Sequence, residues 1–343
     1  MLELDDLSST DVTQAWGKLK DPAWYAPTPM RDFCHVEENP QSARYPPLNP
    51  EEISSVKRML MAAAPSSALA MHQKRRRQDT SVREQAVSPF VGQVIARAGG
   101  PVMASVPPGV FSDPFYLERV AVTVKDCERL CSVTMEQSHS QEWKQARSVR
   151  ITASNCYQLY TYAGNDWESL LERTFSSGFR GNQATRFGQE HERRARDLYC
   201  AETGANVEMC GLVVPPLAPW LGCSPDGIVM GGNEGMRLLE IKCPFLCKQE
   251  GIEALLMEKK LPYLVREGEN LRLKQKHSYF GQIQLMLELL DIDTCDLCVY
   301  VKRDDTNVLI KVPRDRQFGS RLVARLTTVY FTHVLPFLKA KYA

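Results

Sequence analysis

Three side chains with acid–base or ligand chemistry are spaced so that a hairpin would bring them together. Asp226 stands in Ser-Pro-Asp-Gly, and Glu240 and Lys242 stand in the run Leu-Leu-Glu-Ile-Lys-Cys at 238–243. In an extended strand successive side chains point to opposite faces. Glu240 and Lys242 therefore share one face, and Leu239, Ile241 and Cys243 share the other, which is apolar and suited to packing on helices. Pro225 presets a turn and Gly227 relieves the backbone beside it. Gly-Ile-Val-Met (227–230) reads as a strand and the glycine cluster at 231–235 as a hairpin turn, which returns Glu240 towards Asp226. Two carboxylates held a few ångströms apart repel unless a proton or a cation joins them. A hard divalent cation with oxygen ligands resolves that repulsion, and Mg²⁺ is the default, with Mn²⁺ as a substitute. Taken alone, the pattern also fits an exposed strand with an ordinary Glu/Lys pair.

Two stretches upstream add to it. In Phe-Gly-Gln-Glu-His-Glu-Arg-Arg-Ala-Arg-Asp-Leu-Tyr (187–199), helical spacing separates two acids. Glu192 falls in line with Gly188, Ala195 and Tyr199, a small and apolar stripe. Glu190 falls with Arg193, Arg194 and Asp197, a solvated one. Glu192 is thus the inward acid, and burying it without a partner would be costly. In Trp-Lys-Gln-Ala-Arg-Ser-Val-Arg-Ile-Thr-Ala-Ser-Asn (143–155), Arg147 and Arg150 precede a helix start with Thr152 and Ser154 as cap candidates. Cations, hydroxyls and free backbone N–H groups at a helix N-terminus suit a phosphate. A plain capped helix with surface arginines reads equally well from these residues alone.

The elements that must position these groups follow from the patterning. Helices are expected through 142–147, after Ser154, over 167–175, and along 185–202 with Gly204 as the stop signal. Strands are expected at 207–214, 227–230 and 236–243. A helix near 248–260, one over 278–290, strands at 294–302 and 307–312, and a C-terminal helix from Phe318 complete the series. Helices, then clustered strands, then alternation, predict an α/β (α+β) fold with a central mixed β-sheet flanked by helices. Residues 1–120 form a Pro-rich, mostly irregular and partly helical N-terminal extension, and residues 121–343 the main domain. Two basic stretches, with Arg180 and Arg186 before the Glu192 helix and Arg266, Arg272, Lys274 and Lys276 before residue 278, read as flexible loops that could contact a nucleic-acid backbone or simply be solvated.

Together these pieces resemble the YqaJ-type viral recombinase domain, the family of phage lambda exonuclease within the PD-(D/E)xK nucleases. The matching pieces are Trp143, Arg147 and Ile151–Ser154; Gly188 and Glu192; Ser224–Gly227; Leu239–Phe245; and Gly281–Gln284, in the family's order. The resemblance implies a restriction-endonuclease-like core and a Mg²⁺-dependent DNA exonuclease acting from 5′-phosphorylated duplex ends. A structure-selective endonuclease, or a DNA-binding module that has lost turnover, are the alternatives on the same core. It further implies Asp226, Glu240 and the Ile241 carbonyl as metal ligands, with Glu192 completing the cluster directly or through water. Lys242 would orient and help deprotonate the attacking water, Gln282 would hold Lys242 or that water, and Arg147 and Ser154 would grip the 5′-phosphate. Double-stranded DNA ends are the implied partner, and a ring-shaped homotrimer the implied assembly.

Bulk composition narrows the setting. A net charge of +1 confines any attraction for phosphate to local patches. Eleven cysteines are scattered; a zinc site at Cys295/Cys298 lacks a second pair, and buried thiols in a reducing, intracellular compartment are the alternative. The acidic N-terminus lacks the apolar region of a signal peptide, and no run is long enough for a membrane span. The four cations Lys74–Arg77 read as a solvated linker, a nuclear-import signal or a nucleic-acid contact.

Overall fold

A computed structural model describes residues 88–98, 106–107, 109–175, 182–231 and 235–342. The Lys74–Arg77 run, Arg180 and the tip of the 231–235 turn lie outside the described residues. Glu84–Ala343 forms one compact unit. It begins before the boundary drawn at residue 120, because helix α1 (Pro89–Ala98) buries Val91, Val94, Ile95 and Ala98 in the main core. The following helices are α2 (Val124–Val133), α3 (Gln141–Arg147), α4 (Cys156–Thr161), α5 (Trp167–Phe175) and α6 (Gln183–Thr203). After them come α7 (Ile252–Met257), α8 (Ser278–Leu290), α9 (Arg316–Val329) and α10 (Leu335–Tyr342). Among the described residues no helix is long and apolar enough to cross a membrane.

The central sheet is five-stranded and mixed. Its order is β2 (Asn206–Glu208), β4 (Gly227–Met230), β5 (Arg237–Lys242), β8 (Thr294–Val301) and β9 (Thr306–Pro313). Strands β5 and β8 run parallel, and the other neighbours antiparallel. A short parallel pair, β1 (Ile151–Thr152) with β3 (Leu221–Gly222), lies apart from it. The alternation of β5 sends Leu239 and Ile241 to one face, where they pack with Ala195 and Tyr199 of α6. Leu238 faces the main core together with Ile283 and Leu287 of α8. Both faces of β5 are therefore covered, and Glu240 is only 1% exposed. That removes the reading of an exposed strand with a solvated Glu/Lys pair.

Two expectations are corrected. The basic segment before residue 278 is not a flexible loop: Leu264–Glu267 (β6) and Asn270–Leu273 (β7) form an antiparallel hairpin turning at Gly268, with Leu264 and Leu273 buried. Its density of charge obscured a two-residue alternation. The strand expected over 207–214 ends at Glu208, and only Val213 rejoins a ladder, opposite Cys223. Cys295 and Cys298 both sit on β8, three positions apart, so their side chains leave opposite faces and cannot chelate one ion. All described cysteines are free thiols.

Candidate active site

The β4–β5 hairpin sets the centre of the site. Gly227 pairs with Leu239, which places Asp226 beside the Glu240–Lys242 end of β5. Gly227 has to be glycine here, because a Cβ would come within 2.5 Å of Val207 on β2. The Asp226 carboxylate accepts a 2.7 Å hydrogen bond from the Ile241 backbone N–H. Lys242 Nζ donates to Glu240 Oε1 at 2.5 Å, and Gln282 Nε2 on α8 donates to the same oxygen at 2.7 Å. The second oxygen, Glu240 Oε2, is buried with no partner.

Glu192 reaches the same place from the other face of the sheet. Helix α6 is capped by Asn182, whose side chain accepts from the Thr185 N–H, and stops at Gly204 in a left-handed conformation. Its inward stripe is the expected one: Ala195 and Tyr199 are fully buried, and Glu192 is half-buried beside them. Arg196, one turn on, donates to Glu192. Glu192, Asp226, Glu240, Lys242 and Gln282 all line one cleft of about 540 Å³.

The electrostatics follow from crowding acids in a dry site. Burial, then the neighbouring Asp226 charge, pushes the Glu192 and Glu240 carboxyls each up to about 7. Burial likewise raises Asp226, against the pull of Lys242 and the Ile241 N–H. Burial opposes the charge on Lys242, yet Glu240 and Asp226 beside it hold its ammonium above the ordinary lysine value. The donor set suits a hard divalent cation: carboxylate oxygens around one cleft, one of them a buried acceptor with nothing to accept from. Among the described residues, no three His, Cys, Asp or Glu side chains converge as a finished metal cage. Lys242, Arg196 and the Ile241 N–H occupy the carboxylates instead.

The phosphate-type groups divide. Arg147 and Ser154 line the same cleft, with Arg147 Nη2 donating to Ser154 Oγ at 2.8 Å. The Arg147 guanidinium lies 4.0 Å over the Trp143 ring, and Trp143 Nε1 donates to Ser224 Oγ at 2.9 Å. Gln137 Nε2 donates to the Pro225 carbonyl at 3.0 Å. The loop that carries Asp226 is thus tied directly to the element that carries Arg147.

Arg150 is corrected. It is 3% exposed and donates to the carbonyls of Val120, Ala146 and Pro219, so its fork is spent on backbone acceptors. Thr152 is buried; its hydroxyl meets Ser154 Oγ at 3.2 Å, and its N–H donates to Asn155 Oδ1. Neither Thr152 nor Ser154 caps α4, whose N-cap is Asn155 without a side-chain bond. Arg186 lies exposed in the first turn of α6 and, with Lys274 and Lys276, outside the cleft lining. Arg272 pairs with Glu267 across the hairpin and faces a separate cleft of about 520 Å³ beside Lys311, Arg314 and Arg316.

Three residues of the site escape the sequence reading. Arg196 carried a signal, the four-residue spacing from Glu192. Tyr279, three residues before Gln282 on the same helix face, carried a weaker one. Tyr263 reaches the cleft from the start of the β6–β7 hairpin and carried none.

Asp226 just ahead of β4, Glu240 and Lys242 on β5, and Glu192 on α6 thus line one cleft, the arrangement that the resemblance to the PD-(D/E)xK nucleases implies. Residues 142–290 match the model of the YqaJ-like viral recombinase domain. No curated protein matches the chain. Among solved structures it is similar to an alkaline exonuclease (LHK-Exo) from Laribacter hongkongensis, at 24% identity over 59% of this chain and 98% of that one, with a TM-score of 0.44. A phage related exonuclease from Haemophilus somnus 129PT is 11% identical over 58% and 99%, TM-score 0.39. The shutoff and exonuclease protein from Kaposi's sarcoma-associated herpesvirus is 13% identical over 73% and 91%, TM-score 0.39.

Proposed function

We propose that the protein is a Mg²⁺-dependent DNA exonuclease that hydrolyses phosphodiester bonds from 5′-phosphorylated duplex ends. The observation that carries this reading is the shared cleft: Asp226, Glu240 and Lys242 line it together with the Arg147–Ser154 pair, joined through the Trp143–Ser224 hydrogen bond. An anion grip fixed against a hydrolytic centre suits an enzyme that measures one bond from a charged end.

Asp226, Glu240 and the Ile241 carbonyl would hold the cation, with Glu192 directly or through water. The bound ion would supply Lewis-acid activation of the phosphoryl group and of water. Arg147 and Ser154 bind the terminal phosphate by charge-assisted hydrogen bonds. Lys242, anchored on Glu240 at 2.5 Å, orients the attacking water and stabilises charge on the phosphoryl oxygens. Gln282 fixes the Glu240 carboxylate from α8, which leaves Oε2 for the cation. Water attacks phosphorus in line with the departing 3′ oxygen, which takes up a proton as the P–O bond breaks. The free thiols support a reducing, intracellular setting.

Linear duplexes with 5′-phosphate or 5′-hydroxyl ends, compared with a covalently closed duplex, test the reading in Mg²⁺ and in EDTA. Cutting of the linear 5′-phosphorylated DNA, in Mg²⁺ only, is the expected result. Equal cutting of closed DNA would replace it with an endonuclease. Binding without cutting in Mg²⁺ would leave a DNA-binding module.

A further inference from the structure

Lys242, on a long and flexible side chain, donates a hydrogen bond to Glu240. A second contact lies across the cleft. Lys242 Nζ sits 4.5 Å from the centroid of the Tyr279 ring, over its face. The negative face of an aromatic ring attracts an ammonium, most strongly where water is excluded. Tyr279 and Gln282 lie three residues apart on α8, one above the other on the helix surface. One turn of α8 therefore holds both members of the Glu240–Lys242 pair, Gln282 through the carboxylate and Tyr279 through the ammonium.

The ring itself is held in place. Tyr263 packs edge-on against it at 5.0 Å, and His277 edge-on at 4.8 Å. His277 also caps α8, its Nδ1 accepting from the Tyr279 N–H at 3.2 Å. The aromatic trio is thus continuous with the helix start, and the pose of Tyr279 follows from the β6–β7 hairpin that delivers Tyr263. No hydrogen bond of the Tyr279 hydroxyl is needed for this role; the ring face is the active part.

We propose that Tyr279 is a positioning residue for Lys242, its ring holding the ammonium against Glu240 so that it points at the reacting phosphate; this rests on the nuclease reading above. Without the ring, Lys242 has a freer side chain and spends less time in the productive pose. Turnover then falls while DNA binding, which depends on Arg147 and Ser154, does not.

The test pairs steady-state kinetics with crystal structures for wild type, Tyr279→Phe and Tyr279→Leu, on linear 5′-phosphorylated duplex in Mg²⁺. Tyr279→Leu should lower kcat by about 3- to 30-fold with KM unchanged. Tyr279→Phe, which keeps the ring, should restore most of that loss. In the metal-free crystal structure of Tyr279→Leu, Lys242 Nζ should leave Glu240 Oε1, and in Tyr279→Phe it should stay. A Phe variant as impaired as Leu would move the role to the hydroxyl and overturn the proposal. So would a Leu variant with wild-type kcat, a rise in KM that accounts for the loss, or an undisturbed Lys242 in the Leu structure. Wild type without nuclease activity, alongside a displaced Lys242 in the Leu structure, would sink the nuclease reading and leave the positioning intact.

Discussion

The Asp226 carboxylate accepts a hydrogen bond from the backbone N–H of Ile241, the residue between Glu240 and Lys242. The start of β4 is thereby clipped to β5 between its acid and its amine. The 2.7 Å contact fixes the depth of Asp226 relative to Glu240. A carboxylate held by backbone in this way has little freedom left to lose on binding a ligand.

Lys242→Ala removes the ammonium but none of the groups that grip the phosphate. Turnover should fall by about 10²–10⁴-fold, the range for a positioned proton-handling group. Affinity for 5′-phosphorylated duplex in EDTA should change little, as read by fluorescence anisotropy. Wild-type cutting by the variant would place the chemistry elsewhere.

The two carboxyls at about 7 give the metal-free protein a pH dependence of known sign. Their folded values lie above the ordinary carboxylate value of 4.5, so the folded state holds these protons more tightly than the unfolded chain does. That contribution to stability is complete below 4.5 and is lost as pH rises through about 7. Mg²⁺ should therefore raise Tm more at pH 8 than at pH 6, because at pH 8 it meets ionised, mutually repelling acids. Turnover should rise over the same interval. Thermal melts with and without Mg²⁺ at the two pH values check the sign; an equal shift at both would contradict it.

Arg147 and Arg150, close in sequence, should behave as opposites. Arg147→Ala should abolish the preference for a 5′-phosphate, a loss of about 10- to 100-fold in the kcat/KM ratio of phosphorylated to hydroxyl ends. Stability should stay near wild type. Arg150→Ala leaves the carbonyls of Val120, Ala146 and Pro219 without their donor in a buried site. A cost on the order of 3–5 kcal/mol in chemical denaturation is expected, with the end preference of the surviving folded protein intact.

Gly281 marks where α8 meets α4. A Cβ there would lie 2.5 Å from Tyr157 Cδ2 and 3.1 Å from its Cβ, so the base of the side chain and not its tip would have to give. Gly281→Ala should cost about 1–3 kcal/mol by overpacking and push α8 away. Gln282, the next residue, should lose its bond to Glu240, and kcat should drop beyond what the melting shift explains. Unchanged kcat would mean that α8 has room to adjust.

Much of this could be read along the chain because it depends on short-range spacing. The two-residue period of β5 put Glu240 and Lys242 together. The turn signals on either side of Gly-Ile-Val-Met brought Asp226 to them, and the stripe of Gly188, Ala195 and Tyr199 selected Glu192 over Glu190. Each inference uses only the geometry of one element or one hairpin. Spacing says less about Gln284, which shares a helical stripe with the charged Glu288 and Asp291 and yet is buried, donating to the Pro313 carbonyl and accepting from the Asp315 N–H. Glu288 is buried with it, paired to Arg314.

Periodicity says which side chains share a face, and so the amino-acid order by itself determined the acid pair, its lysine and the inward acid of α6. It does not say which distant segment covers that face. Only the tertiary structure decided that α8 would be buried all round, that Arg150 would be spent on three carbonyls while Arg147 remained at the cleft, and that Tyr279 would stand over Lys242. Those outcomes depend on contacts between residues far apart in the chain, such as Arg150 with Pro219 and Gln282 with Glu240. A polar group's partner in a folded protein is set by what desolvates it, and that is a property of the packed whole.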